Sequence, residues 1–451
     1  MAKNKLKALV IAAFLVVFVC CTQMQQPGNN SNNAGNTSVK KFEAAEAACE
    51  ALSSWVSNPQ NPTEIPGGGN TICSFHQFSW QAFIALLNAP GAGDRAFQEE
   101  QNFPLLLGGG ENSCAPNDNQ SKVFVRIAKD NDPTDDDFVL PKDINQAGKN
   151  VQATIYDQNG NVVFYEVRFS RSECTQDSKN PQFTDVNTTE LKISYRVIAE
   201  ADKPNYIWIK ADINGDGKID EKELLGMVGF HLVKGTKDHP EFIWASFEHK
   251  QNGPECQKAP EASKTWSFTS AKCAAELPNS VASDCAFNAA QNNTVLSGGP
   301  PTQICKAYHD GSKKGDFVFD VNVAAIDALN TQLTGPSGYI SGLPASNPLA
   351  VLKNYELIGT LWLKDVNNPS RGAGQPPGDT SNQVGSLQLA NSTMETTFQE
   401  ADVSTGTAVA VPYTGTANMK NAANCFFCHG YTPNNNVTLS HIFSEILGKK
   451  S

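Results

Sequence analysis

The stretch MVGFHLVKGTKDHPEFIWASFEH (residues 227–249) sets the character of the chain. Met227–Val233 and Phe242–Phe247 are short runs rich in β-branched and aromatic residues, which is how strands read. The same texture recurs at Val123–Ile127, Val162–Phe169, Leu191–Ala199, Tyr206–Ala211 and Tyr355–Leu363. Asp157-Gln158-Asn159-Gly160 lies between two strand-like runs and reads as a hairpin turn. Helical spacing is confined to Lys41–Ser57, Phe78–Leu87, Val321–Leu333 and Asn418–Lys450. Strands in the middle with helices toward the ends predict an α+β fold: a strand-rich central body, flanking helices and a small helical C-terminal segment.

Outward from that body, composition bounds the function. Hydrophobic residues at 40% and charged residues at 18% of 451 describe a globular chain with ample core material. A net charge of −11 argues against nucleic acid as a partner, because phosphate binding needs a basic face. At the N-terminus, Lys3, Lys5 and Lys7 precede an apolar run from Ala8 to Val19. That run is too short to span a bilayer and reads as the core of a signal peptide. It ends on Cys20-Cys21, and Cys21 is the expected lipid acceptor, so the chain is expected to be exported and anchored at a membrane surface. Residues 22–40, rich in Asn, Gln, Gly and Ser, then form a tether without core-forming residues. The expected organisation is a signal peptide over 1–21, the tether, a body over 41–390 and a cofactor-binding segment over 391–451.

Twelve cysteines are present. Cys20 and Cys21 belong to the signal and Cys425 and Cys428 to a motif considered next. Cys49, Cys73, Cys114, Cys174, Cys256, Cys273, Cys285 and Cys305 remain, an even set that predicts disulfides in an oxidising compartment. Their connectivity does not follow from the sequence.

Cys425-Phe426-Phe427-Cys428-His429 has the spacing of a c-type haem attachment site. The two thiols form thioethers with the haem and the adjacent His becomes an axial iron ligand. The opposite axial position is less clear, since residues 430–451 contain no Met. Met394, His441 and Met419 are the candidates, with Met394 slightly favoured; an open iron face is the alternative.

A second motif is Asp212-Ile-Asn214-Gly-Asp216-Gly217-Lys218-Ile219-Asp220-Glu-Lys-Glu223, which has the EF-hand ligand spacing. Asp212, Asn214, Asp216, Asp220 and Glu223 supply side-chain oxygens, Lys218 a backbone carbonyl, and Gly217 the sharp turn. The preceding Tyr206–Lys210 reads as a strand, so one calcium ion is expected to staple a strand to a short helix. The acidic run Asp130–Asp137 lacks ligand spacing and reads as a solvated loop.

His231, His249 and Glu248 could share a site if the strands around residues 227–249 pair, giving an acid–base group beside an open iron. His76 carries the same ambiguity. Together with Phe78–Leu86 and Asn391–Gln399, the His231 run, Trp244–His249 and the terminal CxxCH resemble a bacterial family of exported proteins described as cytochrome c family proteins. The resemblance is scattered over residues 75–430 and implies that body and haem segment form one unit. The calcium loop and the Cys-rich stretch 252–315 lie outside the family pattern. Three functions remain open: a lipid-anchored monohaem electron carrier with an unidentified redox partner protein, a haem-dependent oxidoreductase or peroxidase, and a calcium-stapled binding module with an accessory haem.

Overall fold

Residues 227–249 form two adjoining strands at the centre of an antiparallel sheet. The computed structural model describes residues 49–89, 94–107, 112–115, 124–125, 154–179, 181–183, 188–214, 218–256, 258–261, 263–278, 285–289, 297–306, 319–370, 381–394, 400–402, 407–409, 425–433, 439–440, 442–443 and 446. The chain divides into Met1–Lys41 and Phe42–Ser451. The first unit, with the expected signal peptide, Cys21 and the tether, lies outside the described residues, as does Asp130–Asp137.

The sheet strands are β1 (Phe124–Val125), β2 (Phe164–Phe169), β3 (Thr189–Val197), β4 (Trp208–Lys210), β5 (Leu224–Lys234), β6 (Ile243–His249), β7 (Tyr355–Leu363) and β8 (Gln383–Gly385). Their order is β1-β2-β3-β5-β6-β7-β8, and β4 pairs with β5 off that path. A separate ribbon joins β9 (Glu400–Asp402) to β10 (Thr407–Val409). The α+β expectation therefore holds, and the run Tyr355–Leu363 is β7 residue for residue. The Asp157–Gly160 turn also forms: Asp157 Oδ1 accepts from the backbone N–H of Asn159 and Asn161, both at 2.9 Å. Gly160 takes φ +77°, a value that side-chain-bearing residues avoid.

Alternation along the strands gives the sheet two buried faces. On one face, Leu191, Ile193, Phe230, Leu232, Ala245 and Phe247 pack beneath two helices, α2 (Ile72–Leu87) and α4 (Phe319–Thr334), numbered after the single turn α1 (Ser54–Ser57). Phe83 of α2 stacks on Phe247 at a ring separation of 3.8 Å, and Trp80 meets the same ring edge-on at 5.0 Å. The helix α2 starts six residues earlier than Phe78. Thr71 caps it, its hydroxyl accepting from Ser74 N–H at 3.1 Å. The polar residues that break the apolar pattern are themselves buried and bonded: His76 joins Thr360 and Asn322.

The helix expected over Lys41–Ser57 is reduced, within the described residues, to α1. Cys49 is tied to Cys73, and the Gln332 side chain of α4 accepts from Ala51 N–H and donates to Cys49 O. Those tertiary bonds override the local periodicity. Among its described residues, the Cys-rich stretch holds one short turn of α-helix, α3 (Ala271–Ala274). Two of the four disulfides are here, Cys256–Cys305 and Cys273–Cys285; the fourth bridge is Cys114–Cys174. No described helix is long and apolar enough to cross a membrane.

Candidate functional site

The other sheet face carries Val233, Trp244, Ile358, Leu361 and Leu363, and the CxxCH segment is seated on it through Phe426, Tyr431, Leu439 and Phe443. Cys425–Cys428 make a single turn, α5, and His429 N–H donates to Cys425 O at 2.9 Å, which carries the turn through the histidine. That bond stacks Cys425 and His429 on one side, as residues four apart are in a helix. Cys425 is half-buried, and Phe426 is fully buried and anchors the turn in the cluster. The side chain of Cys428 lies outside the described residues. The helix expected across Asn418–Lys450 shrinks to this turn and to isolated helical residues at 442, 443 and 446 among those described. Tyr431 is diverted toward the β7–β8 connection, where Tyr431 N–H donates to Ser370 Oγ, Ser370 N–H to Tyr431 O, and the phenol to Val366 O.

The His429 ring is 9% exposed, and its Nδ1 lies 2.9 Å from Leu439 O. A carbonyl only accepts, so Nδ1 carries the proton and the lone pair is on Nε2. That is the orientation a metal-ligating histidine takes when a carbonyl holds its outer nitrogen. Trp244 packs beside it, with ring centroids 4.5 Å apart and a tilt of 46°. The indole Nε1 of Trp244 is buried and has no hydrogen-bond partner. A buried donor left unpaired costs about 1–3 kcal/mol, so an acceptor at this position is expected. The acidic side chains of a haem are such acceptors, and Trp244, Phe426 and Leu361 provide an apolar surround. The described residues around Cys425 and His429 are therefore of a kind that would suit a haem.

The distal candidates are distributed differently. Met394 is buried in another cluster, with Tyr165, Val228 and Phe268, and is not among the residues packed with Phe426 and Tyr431. Met419 and His441 lie outside the described residues.

His231, His249 and Glu248 do occupy paired strands, yet not one site. His231 is opposite Ser246 and Gly229 is opposite Glu248, so His231 and Glu248 point to the face that carries Trp244. His249, one residue beyond Glu248, turns to the opposite face, stacked on Tyr206 at 4.3 Å. Its Nε2–H donates to Asn205 O and its Nδ1 accepts from Gln251 N–H, so both nitrogens are used. Burial pushes the His249 pKa down to about 3. Glu248 accepts from Ser392 N–H at 2.7 Å and from the Ser392 hydroxyl, which fixes residues 391–393 over the sheet. These are structural bonds, and strand alternation separates the two imidazoles.

The calcium loop joins β4 to β5, strand to strand, where a strand-to-helix join was expected. The apolar run after Glu223 is long enough to pair along β3, β4 and β6, and sheet pairing prevails over a helical turn. Glu223 folds back into the loop: Oε1 accepts from Ile213 and Asn214 N–H at 3.3 Å each, and Oε2 from Asp220 N–H at 2.9 Å. The first and last ligand positions are thus drawn together. Lys218 and Asp220 lie on the same loop, while Asp216 and Gly217 are outside the described residues. Among the described residues no group of three or more His, Cys, Asp or Glu is arranged around a metal position.

Sequence reasoning missed the Leu439 carbonyl and the part played by Trp244. The Trp244 indole could be found only through its place in the register opposite Val233 and Leu361. No family model matches the chain, and no curated protein or solved structure matches it significantly.

Proposed function

We propose that this chain is a monohaem c-type cytochrome that transfers electrons, with one haem attached at Cys425 and Cys428 and held on the iron by His429. The observation that carries the reading is the Nδ1 hydrogen bond from His429 to Leu439 O, which fixes the ring in the tautomer and orientation of a metal-ligating histidine. The bound haem would supply a one-electron Fe(III)/Fe(II) couple. The protein's part is to hold the imidazole, to exclude water with Phe426, Leu361 and Trp244, and to offer the Trp244 N–H as a donor. The resemblance to bacterial exported cytochrome c family proteins agrees with this reading, as do four disulfides, which form in oxidising compartments.

Cys21 is proposed as the lipid anchor and residues 22–40 as the tether to the membrane surface. One calcium ion is proposed in the 212–223 loop as a staple of the β4–β5 hairpin. The test is expression in cells with a c-type haem maturation system, followed by denaturing electrophoresis with haem staining. Wild type is expected to keep its haem through denaturation. Cys425→Ala/Cys428→Ala is expected to lose it; unchanged staining in that variant would sink the reading.

A further inference from the structure

A buried pair of carboxylates has no part in either the CxxCH turn or the 212–223 loop. Glu173 stands in the 3-10 turn Arg171–Thr175, which follows β2, and Glu190 is the second residue of β3. The register brings them together: Phe169 is directly opposite Glu190, and Ser170 Oγ accepts from Thr189 N–H at 2.5 Å. Glu173 is 0% exposed and Glu190 is 2% exposed. Burial and each other's charge push the Glu173 carboxyl well up, and burial pushes Glu190 to about 7.

Glu173 and Glu190 lie within hydrogen-bond reach of each other, and apart from that mutual contact both carboxylate oxygens of Glu173, Oε1 of Glu190 and the hydroxyls of Ser172 and Thr188 are buried with no donor or acceptor against them. Ser172 adjoins Glu173, and Thr188 lies two residues before Glu190, on the same side of an extended chain. Each such oxygen costs about 1–3 kcal/mol when left unpaired. A proton shared by the two carboxyls would pair one oxygen with one other and leave the hydroxyls as they are. A cation between the two carboxylates needs only lone pairs and offsets both charges. Lys192 favours the ionised Glu190 through space but does not reach its Oε1. The donor set is oxygen alone, which suits a hard cation and not the metals that select Cys or His.

We propose that Glu173 and Glu190, with the hydroxyls of Ser172 and Thr188, bind a hard divalent cation of the calcium class, at a site separate from the 212–223 loop. Glu190 also meets the hydroxyl of Ser440, the residue after the one whose carbonyl holds His429. The cation therefore ties β2 and β3 to the C-terminal segment. The site depends on neither the haem nor the loop.

The experiment is a count of calcium bound to the full chain, first stripped with chelator and then titrated calorimetrically with CaCl2. In an Asp212→Asn/Glu223→Gln background, which silences the loop, one equivalent is expected to remain, and adding Glu173→Gln is expected to remove it. No calcium uptake in the loop-silenced chain overturns the proposal, and so does an unchanged count after Glu173→Gln. If Glu173→Gln does not fold, the infrared spectrum of the loop-silenced chain decides. A protonated buried carboxyl band that disappears on calcium addition supports the site, and one that persists in excess calcium overturns it.

Discussion

At His429 the two ring nitrogens have been given different tasks, and Trp244 alongside has a donor with none. Trp244→Phe keeps a ring against Phe426 while removing the unpaired N–H. In haem-free protein this change is expected to be neutral or stabilising by about 1 kcal/mol, because an unsatisfied buried donor is lost. In haem-loaded protein it is expected to destabilise by a similar amount, since a hydrogen bond is lost. Thermal unfolding of both forms gives the sign; equal stability of the loaded wild type and variant rules out a haem acceptor. Met394 gives a second residue-level expectation. Met394 is packed in a different apolar cluster from Phe426, so Met394→Ala should leave the absorption spectrum of both oxidation states unchanged. It should cost about 2–5 kcal/mol in stability as a core truncation. A spectral change would return Met394 to the iron. His76 and His249 are lowered to about 4 and about 3, chiefly by burial. Both are neutral in the folded chain, while the unfolded chain takes up protons below about pH 6.5. Stability is therefore full above that pH and is lost as pH falls, by about 1.4 kcal/mol per pH unit for each histidine, down to its folded value. Urea unfolding between pH 6.5 and 4.5 should show a flatter slope for His249→Gln than for wild type.

At the scale of elements, the central strands were readable from composition because β2, β5, β6 and β7 bury both faces and so need no alternation to stand out. β7 coincides with its expected limits, β5 lengthens at both ends, and β6 starts one residue later and ends two residues further on. Helix limits were less readable. The start of α2 was hidden by Ser74, which is bonded to the capping Thr71, and by His76, whose partners Thr360 and Asn322 lie on distant segments; the Gln332 amide diverts residues 49–51 from a periodic pattern. The calcium loop was readable as a ligand pattern, but its setting was not, since the sequence after Glu223 suits either a helix or a strand. In the hairpin, Glu223 already draws the two ends together, so calcium should add stability locally and leave the sheet unchanged. Calcium at a hundredfold excess over its dissociation constant is expected to stabilise by about 2.7 kcal/mol. Differential scanning calorimetry with and without calcium should show the rise. Glu223→Gln should remove the part that belongs to the loop, and an unchanged response would exclude Glu223 as a ligand.

Across the whole molecule, the cysteines divide the work in a way the sequence could only count. The CxxCH motif was readable because its residues are adjacent, whereas each disulfide joins residues 12 to 60 apart and depends on the finished topology. Cys256–Cys305 and Cys273–Cys285 form, with Leu277 and Phe287, a small core of their own beside the sheet. There is little regular structure in this stretch to hold it otherwise. Backbone bonds tie it to the turn at residues 156–160, as Thr302 N–H to Tyr156 O, Gly299 N–H to Gly160 O and Gln158 N–H to Ser267 O. The sheet, in contrast, is packed on both faces by helices, loops and the CxxCH segment. Removing one bridge of the stretch should therefore loosen it before the sheet yields. Cys256→Ser/Cys305→Ser is expected to cost about 2–5 kcal/mol, the usual range for a native disulfide. Limited proteolysis should then cut between residues 256 and 305 while circular dichroism still reports the sheet and the haem stays attached. Concerted loss of the sheet signal at the first cleavage would show instead that the stretch is part of one cooperative unit with the sheet.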